Sequence, residues 1–123
     1  MTENVVTTNK QTTIQEAAKI LFAKRVGALV ITDDKRKCEG IFTERDALRS
    51  LATKIPLNTQ LMNVMSKNVI TVRENASFAK AKSLMVSHGI RHLPVVDEEG
   101  YLTGMLTLRN ALDELVGMST RKV

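Results

Sequence analysis

The sequence repeats itself. Moved along itself by 64 positions, the 123-residue chain places residues 1–48 on 65–112 without a gap. Met1-Thr2-Glu3-Asn4-Val5-Val6-Thr7 falls on Met65-Ser66-Lys67-Asn68-Val69-Ile70-Thr71, Leu29 on Leu93 and Asp33 on Asp97. Gly40, Thr43 and Arg45 fall on Gly104, Thr107 and Arg109. Twelve of the 48 pairs are identical, and most of the others keep their polarity. An ungapped register that holds both apolar blocks and both Gly-x-x-Thr-x-Arg segments identifies one unit of about 60 residues used twice.

Each copy reads alike. A short apolar segment, 4–8 or 68–72, is predicted extended. A helix follows. Thr13 and Glu16 have the spacing of a capping box, with Ile14, Ala17, Ala18 and Leu21 on one side. Ser77 is the corresponding cap in the second copy, with Phe78, Ala81, Leu84 and Met85 turned inward. Gly27 and Gly89 lie near the ends of these helices, and Gly89 is the stronger stop. The runs 28–32 and 92–96 are rich in β-formers. Each is followed by a polar turn (33–37, 97–100) and a returning strand (40–42, 101–106), which makes a hairpin. Pro94 cannot donate to a ladder and suits a strand's start or an edge. A last helix is predicted to begin at Thr43 and at Thr107.

The order β-α-β-β-α, twice, predicts an α+β fold. The first repeat occupies 1–51, a connector with Pro56 and Asn58 occupies 52–64, and the second repeat occupies 65–123. Three short strands cannot cover both faces of their own sheet. The two sheets are therefore expected to pack against each other about a pseudo-twofold axis, with clefts between the halves.

Composition narrows the function. Aromatic residues are 3% of the chain, with no Trp, too few for a platform that stacks nucleic-acid bases. The net charge is +5, yet no run of like charge exceeds Lys35-Arg36-Lys37. The excess favours anionic ligands without marking a nucleic-acid surface. Cys38 is the one cysteine, so no internal disulfide forms, as in a reducing compartment. No apolar stretch approaches the ~20 residues of a membrane span, and the polar N-terminus lacks the layout of a signal peptide. The expected location is cytoplasmic.

Individual residues leave alternatives open. Thr43-x-x-Asp46 and Thr107-x-x-Asn110 have the spacing of a helix cap, and a cap does not exclude a ligand contact. Arg91 and His92 precede a buried strand, as a solvated pair or as cations facing a ligand. His88 and His92 are four apart, but Gly89 interrupts the helix and no third ligand is near, so no metal is expected. Lys35-Arg36-Lys37 reads as a solvated turn and as the first place to look for nucleic-acid contact. The six Met residues read as core filling, and Cys38 has no evident base beside it. There is no Ser-His-acid order, Gly-rich phosphate loop or metal-spaced cluster, so an enzyme is not expected. Ala47, Leu48 and Leu51, with Ala111, Leu112, Leu115 and Val116, predict helices with apolar surface left over.

Three segments carry a resemblance. They are Leu61-Met62-Asn63-Val64-Met65 leading into Asn68-Val69-Ile70-Thr71-Val72; His88-Gly89-Ile90-Arg91-His92-Leu93-Pro94-Val95-Val96-Asp97; and Gly40-Ile41-Phe42-Thr43-Glu44-Arg45-Asp46. The repeat resembles the cystathionine β-synthase (CBS) domain, and the pair resembles the tandem called a Bateman module, here without an attached catalytic or transport domain. The resemblance covers essentially the whole chain. It implies a regulatory, non-catalytic module that binds an adenosyl nucleotide in a cleft between repeats. AMP is the best single choice, with ADP, ATP or S-adenosylmethionine as further candidates, and no cofactor is required.

The family's Gly-x-x-Thr-x-x-Asp pattern puts Asp46 on the ribose hydroxyls and Thr43 near the phosphate. A helix N-terminus at Thr43 would offer N–H groups to an anion. Val6, Gly27 and Ala28 match positions that line base and ribose, and Arg91 and His92 match positions where cations reach the phosphates. A second, weaker site would use Ile70, Thr107, Arg109 and Asn110. Asn110 replaces the ribose carboxylate with a neutral amide, roughly half as strong an acceptor. The resemblance also implies a homodimer, with an unidentified protein partner downstream. The alternative is a small nucleic-acid-binding or protein-interaction and dimerisation module with no nucleotide ligand.

Overall fold

Helix caps and one recurring hairpin organise the chain. The computed structural model describes residues 5–107; Arg109, Asn110 and the predicted last helix of the second repeat lie outside the described residues. In the first unit, residues 6–69, β1 (Thr7–Thr8) leads to α1 (Ile14–Lys24), β2 (Ala28–Thr32), β3 (Cys38–Thr43) and α2 (Glu44–Ala52), then a short 3-10 turn, Leu61–Asn63. In the second unit, β4 (Val72–Arg73) leads to α3 (Phe78–His88), β5 (His92–Val96) and β6 (Leu102–Thr107). The α+β reading holds, with one three-stranded sheet in each unit, ordered β1-β2-β3 and β4-β5-β6.

The offset of 64 survives in the hydrogen bonding. Ala28 pairs with Thr43 and His92 with Thr107; Ile31 pairs with Gly40 and Val95 with Gly104. Both hairpins shift register at the same step, Ile31/Thr32 and Val95/Val96. Each turn is folded around an aspartate. Asp33 Oδ1 accepts from the N–H groups of Lys35 and Lys37 at 2.8 and 2.9 Å, and Asp97 Oδ1 accepts from Glu99 and Tyr101 at 2.9 and 3.0 Å. The Lys37 N–H, with that of Lys35 adding to it, holds the Asp33 carboxyl below its usual pKa. Lys35 and Arg36 form the exposed side of this turn, and Lys37 is half-buried.

The helices start as predicted. Thr13 and Glu16 form a reciprocal capping box on α1, and Ser77 Oγ accepts the Lys80 N–H at 3.1 Å on α3. Ile14, Ala17 and Leu21 are buried as expected, whereas Ala18 is exposed. The helix ends differ between copies. Gly89 closes α3 at φ 62°, but Arg25, not Gly27, closes α1 at φ 57°. In the left-handed region a residue with a Cβ is disfavoured by about 1–2 kcal/mol. Arg25 takes that conformation because its N–H still reaches the carbonyls of Leu21 and Phe22.

Two further features depart from the sequence reading. Pro94 lies inside β5, the central strand, rather than at a start or an edge. The first copy shows why this is tolerated. There the Val30 N–H donates to the Val6 carbonyl at 3.1 Å, and Val30 is the counterpart of Pro94. Without that donor, pairing with the parallel neighbour starts one position later: Thr7↔Val30 opens it in the first unit, and Val72↔Val95 in the second. The initial strands are accordingly short, two residues each.

Residues 53–66, beyond α2, also fold onto the first unit. Leu61 is fully buried against Ile14, Ala17, Leu21 and Phe42, with Ile55, Val64 and Met65 packed around this cluster. Ile41 and Ser66 exchange backbone hydrogen bonds of 3.1 and 3.2 Å, which extends the ladder beyond β3.

That crossing constrains Gly40. A Cβ there would stand 2.5 Å from Met65 Sδ and 3.0 Å from the Ser66 carbonyl oxygen. Met65 can move aside; the Ser66 backbone is tied to Ile41. Gly40→Ala should cost about 1–3 kcal/mol by overpacking, measured by urea unfolding. Exchanging the helix-end residues should act in opposite directions, with Arg25→Gly stabilising and Gly89→Arg destabilising, each by about 1 kcal/mol.

Candidate functional site

The hairpin register delivers the candidate residues of the first unit to one end of its sheet. Ala28 opens β2 directly opposite Thr43, the last residue of β3. Gly27 precedes it, and its carbonyl accepts the Glu44 N–H at 3.0 Å. Val6, half-buried, accepts the Val30 N–H at its carbonyl, on the other side of β2. β3 passes straight into α2, so Thr43 is both the strand's end and the helix cap. Val6, Gly27, Ala28, Thr43 and Asp46 are therefore brought together by backbone pairing.

At the centre is the Asp46 carboxylate, whose side chain is 10% exposed. Asp46 Oδ2 accepts from the Thr43 N–H at 2.9 Å and from the Thr43 hydroxyl at 3.2 Å. The Thr43 oxygen in turn accepts the Asp46 N–H at 3.2 Å. Arg49, one turn on, donates from Nη1 to Asp46 Oδ1 at 2.8 Å. The Ser50 hydroxyl, also buried, donates to the Asp46 carbonyl at 2.9 Å.

A carboxylate has about four acceptor directions. Three are used, which leaves one on Oδ1. A second is held only by Arg49, whose side chain is 59% exposed and can move into solvent. The site can therefore accept one hydroxyl as it stands and a vicinal pair if Arg49 swings away.

The capping reading of Thr43-x-x-Asp46 is thus realised in full, and it corrects one expectation. The start of α2 does not present a row of N–H groups to an anion. The Glu44 amide goes to Gly27 and the Asp46 amide to the Thr43 oxygen. Arg45 supplies the first-turn amide that has no protein acceptor among the described residues.

Sequence reasoning missed Arg49. Its signal was present in the i,i+3 spacing from an acid on a helix, but nothing in that spacing shows that the acid is buried.

Of the remaining candidates, Arg91 is exposed in the bend before β5, and His92 is half-buried as the first residue of β5, paired with Thr107. Both belong to the second unit, as does Ile70, which packs at the edge of that unit's core. Arg109 and Asn110 of the second site lie outside the described residues. His88 ends α3 and His92 starts β5, so they share no helix face. Among the described residues no three His, Cys, Asp or Glu side chains group as metal ligands. Burial pushes the Cys38 thiol up against the opposing Arg36 charge, which disfavours the nucleophilic thiolate. No helix of the described residues is long and apolar enough to cross a membrane.

Comparison with known proteins identifies the family of this fold. A family profile described as the CBS domain matches residues 1–53 and again 61–117. The CBS-domain protein PAE2072 of Pyrobaculum aerophilum, solved in complex with AMP, is 31% identical, with a TM-score of 0.86 over 96% of this chain and 95% of its own. The CBS-domain pair of protein MJ0100, solved with 5′-methylthioadenosine and S-adenosyl-L-methionine, is 29% identical, with a TM-score of 0.85 over 95% of this chain and 91% of its own. Among curated relatives, a homoserine O-acetyltransferase of Methanohalophilus mahii is 32% identical over 98% of this chain, which spans 24% of that protein's length.

The cap itself is testable. Asp46→Ala removes the acceptor for the Thr43 N–H and should cost about 1–2 kcal/mol of unfolding free energy. Asp46→Asn keeps one acceptor oxygen and loses the pairing with Arg49, so it should cost about 0.5 kcal/mol. Urea titration of the two variants separates these outcomes.

Proposed function

The chain belongs to the CBS-domain family, and on that premise we propose that it is a regulatory module that binds an adenosyl nucleotide. AMP is the first choice, with ADP, ATP and S-adenosylmethionine as the other members of the class. The observation that carries this reading is the Asp46 carboxylate. It is held in a fixed orientation by Thr43, with acceptor capacity left toward Oδ1. A ribose supplies two adjacent hydroxyl donors, which is what such a carboxylate can accept. The adenosyl ligands of PAE2072 and MJ0100 support the class of ligand.

In this reading Val6, Gly27 and Ala28 line the base and ribose. Thr43 and the Arg45 amide stand toward the phosphate, with Arg91 and His92 as the cations that favour it. Ile70, Thr107, Arg109 and Asn110 would form a second, weaker site. The chain acts by linkage: the nucleotide stabilises the conformation that binds it better, and a partner that distinguishes the two conformations responds. The module is non-catalytic and works in the cytoplasm.

One further observation bears on assembly. Phe22 is 86% exposed on α1, and Leu48 and Leu51 are 67% and 64% exposed on α2. Large apolar side chains on neighbouring helices of one unit favour association with a second copy, so the proposed working form is a homodimer.

Calorimetry with AMP tests the assignment. Wild type should give saturable heat. Asp46→Asn should bind about tenfold more weakly, because a hydrogen bond to a charged acceptor exceeds a neutral one by about 1–1.5 kcal/mol. Arg91→Ala should weaken AMP and leave adenosine unchanged. Absence of binding by every adenosyl compound, or full affinity in Asp46→Asn, contradicts the reading.

A further inference from the structure

One side chain at the candidate site stands where part of the proposed ligand would go. Asp46 and Arg49 are three residues apart on α2, and a buried carboxylate meets a mostly exposed guanidinium at 2.8 Å. Asp46 Oδ2 is committed to the N–H and the hydroxyl of Thr43. Oδ1 therefore carries what a ligand can use. One of its two acceptor directions is open, and Arg49 Nη1 fills the other.

The internal repeat treats these two positions as a pair. The 64-offset counterparts of Asp46 and Arg49 are Asn110 and Asp113. Where the carboxylate gives way to an amide, the guanidinium gives way to an acid. A buried carboxylate needs a paired charge to offset its desolvation; a neutral amide does not. Arg49 thus serves Asp46 as its counter-ion, and it is a replaceable one. Its side chain is 59% exposed, whereas Thr43 is held at the junction of β3 and α2.

We propose that Arg49 is a specificity-determining residue of this site: it competes with one sugar hydroxyl for Asp46 Oδ1, and so sets how strongly a ribonucleotide is preferred over its monodeoxy counterparts. This inference rests on the reading of Asp46 as the ribose acceptor. A sugar with one hydroxyl takes the open direction and leaves Arg49 in place. A vicinal diol takes both directions and must displace Nη1 into solvent. The second hydroxyl's bond to the charged acceptor is then gained against the loss of the Arg49 bond. The preference for ribose is therefore smaller than an unobstructed carboxylate would give. The sign of the effect is the opposite of that expected from a cation that attracts a phosphate: removing Arg49 tightens the nucleotide.

The test is calorimetry of the full chain with AMP, 2′-deoxy-AMP and 3′-deoxy-AMP, on wild type, Arg49→Ala and Arg49→Lys. Arg49→Ala should bind AMP about fivefold more tightly, the upper range for an ion pair with an exposed partner. The preference for AMP over the better-bound monodeoxy compound should widen by the same factor. A general change in the charge or stability of the site acts on all three compounds alike and cancels in that ratio. Arg49→Lys keeps the charge without the guanidinium fork and should fall between. AMP binding that appears only in Arg49→Ala also supports the proposal. AMP binding by wild type with an unchanged or narrowed ratio in Arg49→Ala overturns it, and leaves the nucleotide reading standing. If neither wild type nor Arg49→Ala binds AMP, or Asp46→Asn binds it with full affinity, the nucleotide reading fails and this inference with it.

Discussion

Everything at the candidate site depends on the pairing of β2 with β3. The Asp33 turn and the register shift at Ile31/Thr32 set that pairing, and it puts Ala28 opposite Thr43. A slip of one residue would turn every side chain to the other face of the sheet and move the start of α2 away from Gly27. With the register fixed, the strand's last residue becomes the helix's cap, and a carboxylate three residues on is pulled under the end of the sheet. The recurrence of the same pairing 64 residues later, down to the aspartate that folds the turn, shows how strongly the pattern is specified.

The Asp46 carboxylate joins stability to the proposed function. It caps α2 and is buried while doing so. A buried carboxylate is tolerable when hydrogen bonds and a paired charge offset its desolvation, and Thr43 and Arg49 supply these. The arrangement is asymmetric. Thr43 is fixed by the backbone, whereas Arg49 is on a mostly exposed side chain. A ligand hydroxyl can replace Arg49 without disturbing the cap, so binding need not unfold the helix start.

Much of this was legible in the sequence because the signals are local. Capping residues, the hairpin alternation and the Asp-led turns each declare themselves within a few positions, and the ungapped repeat counted each signal twice. What escaped was long-range or a matter of tolerance. Nothing near Leu61 announces that it completes the first core, since its partners Ile14, Ala17 and Phe42 lie 19 or more positions away in the sequence. Pro94 reads as an edge residue; it sits centrally because only a short parallel neighbour needed its missing N–H. Arg25 takes a glycine's place at a helix end because the hydrogen bonds of the cap compensate. At the site, residue identities were readable, but the occupied amides of Glu44 and Asp46 and the contact of Arg49 depend on geometry.

The central claim is that one carboxylate serves both as a cap and as the acceptor for a ribose. A crystal structure of the chain grown with AMP measures this directly. The account predicts the ribose hydroxyls within hydrogen-bond distance of the Asp46 carboxylate, Arg49 released, and the Thr43 cap unchanged. A nucleotide bound with its ribose elsewhere, or with Arg49 still closed on Asp46, would contradict it.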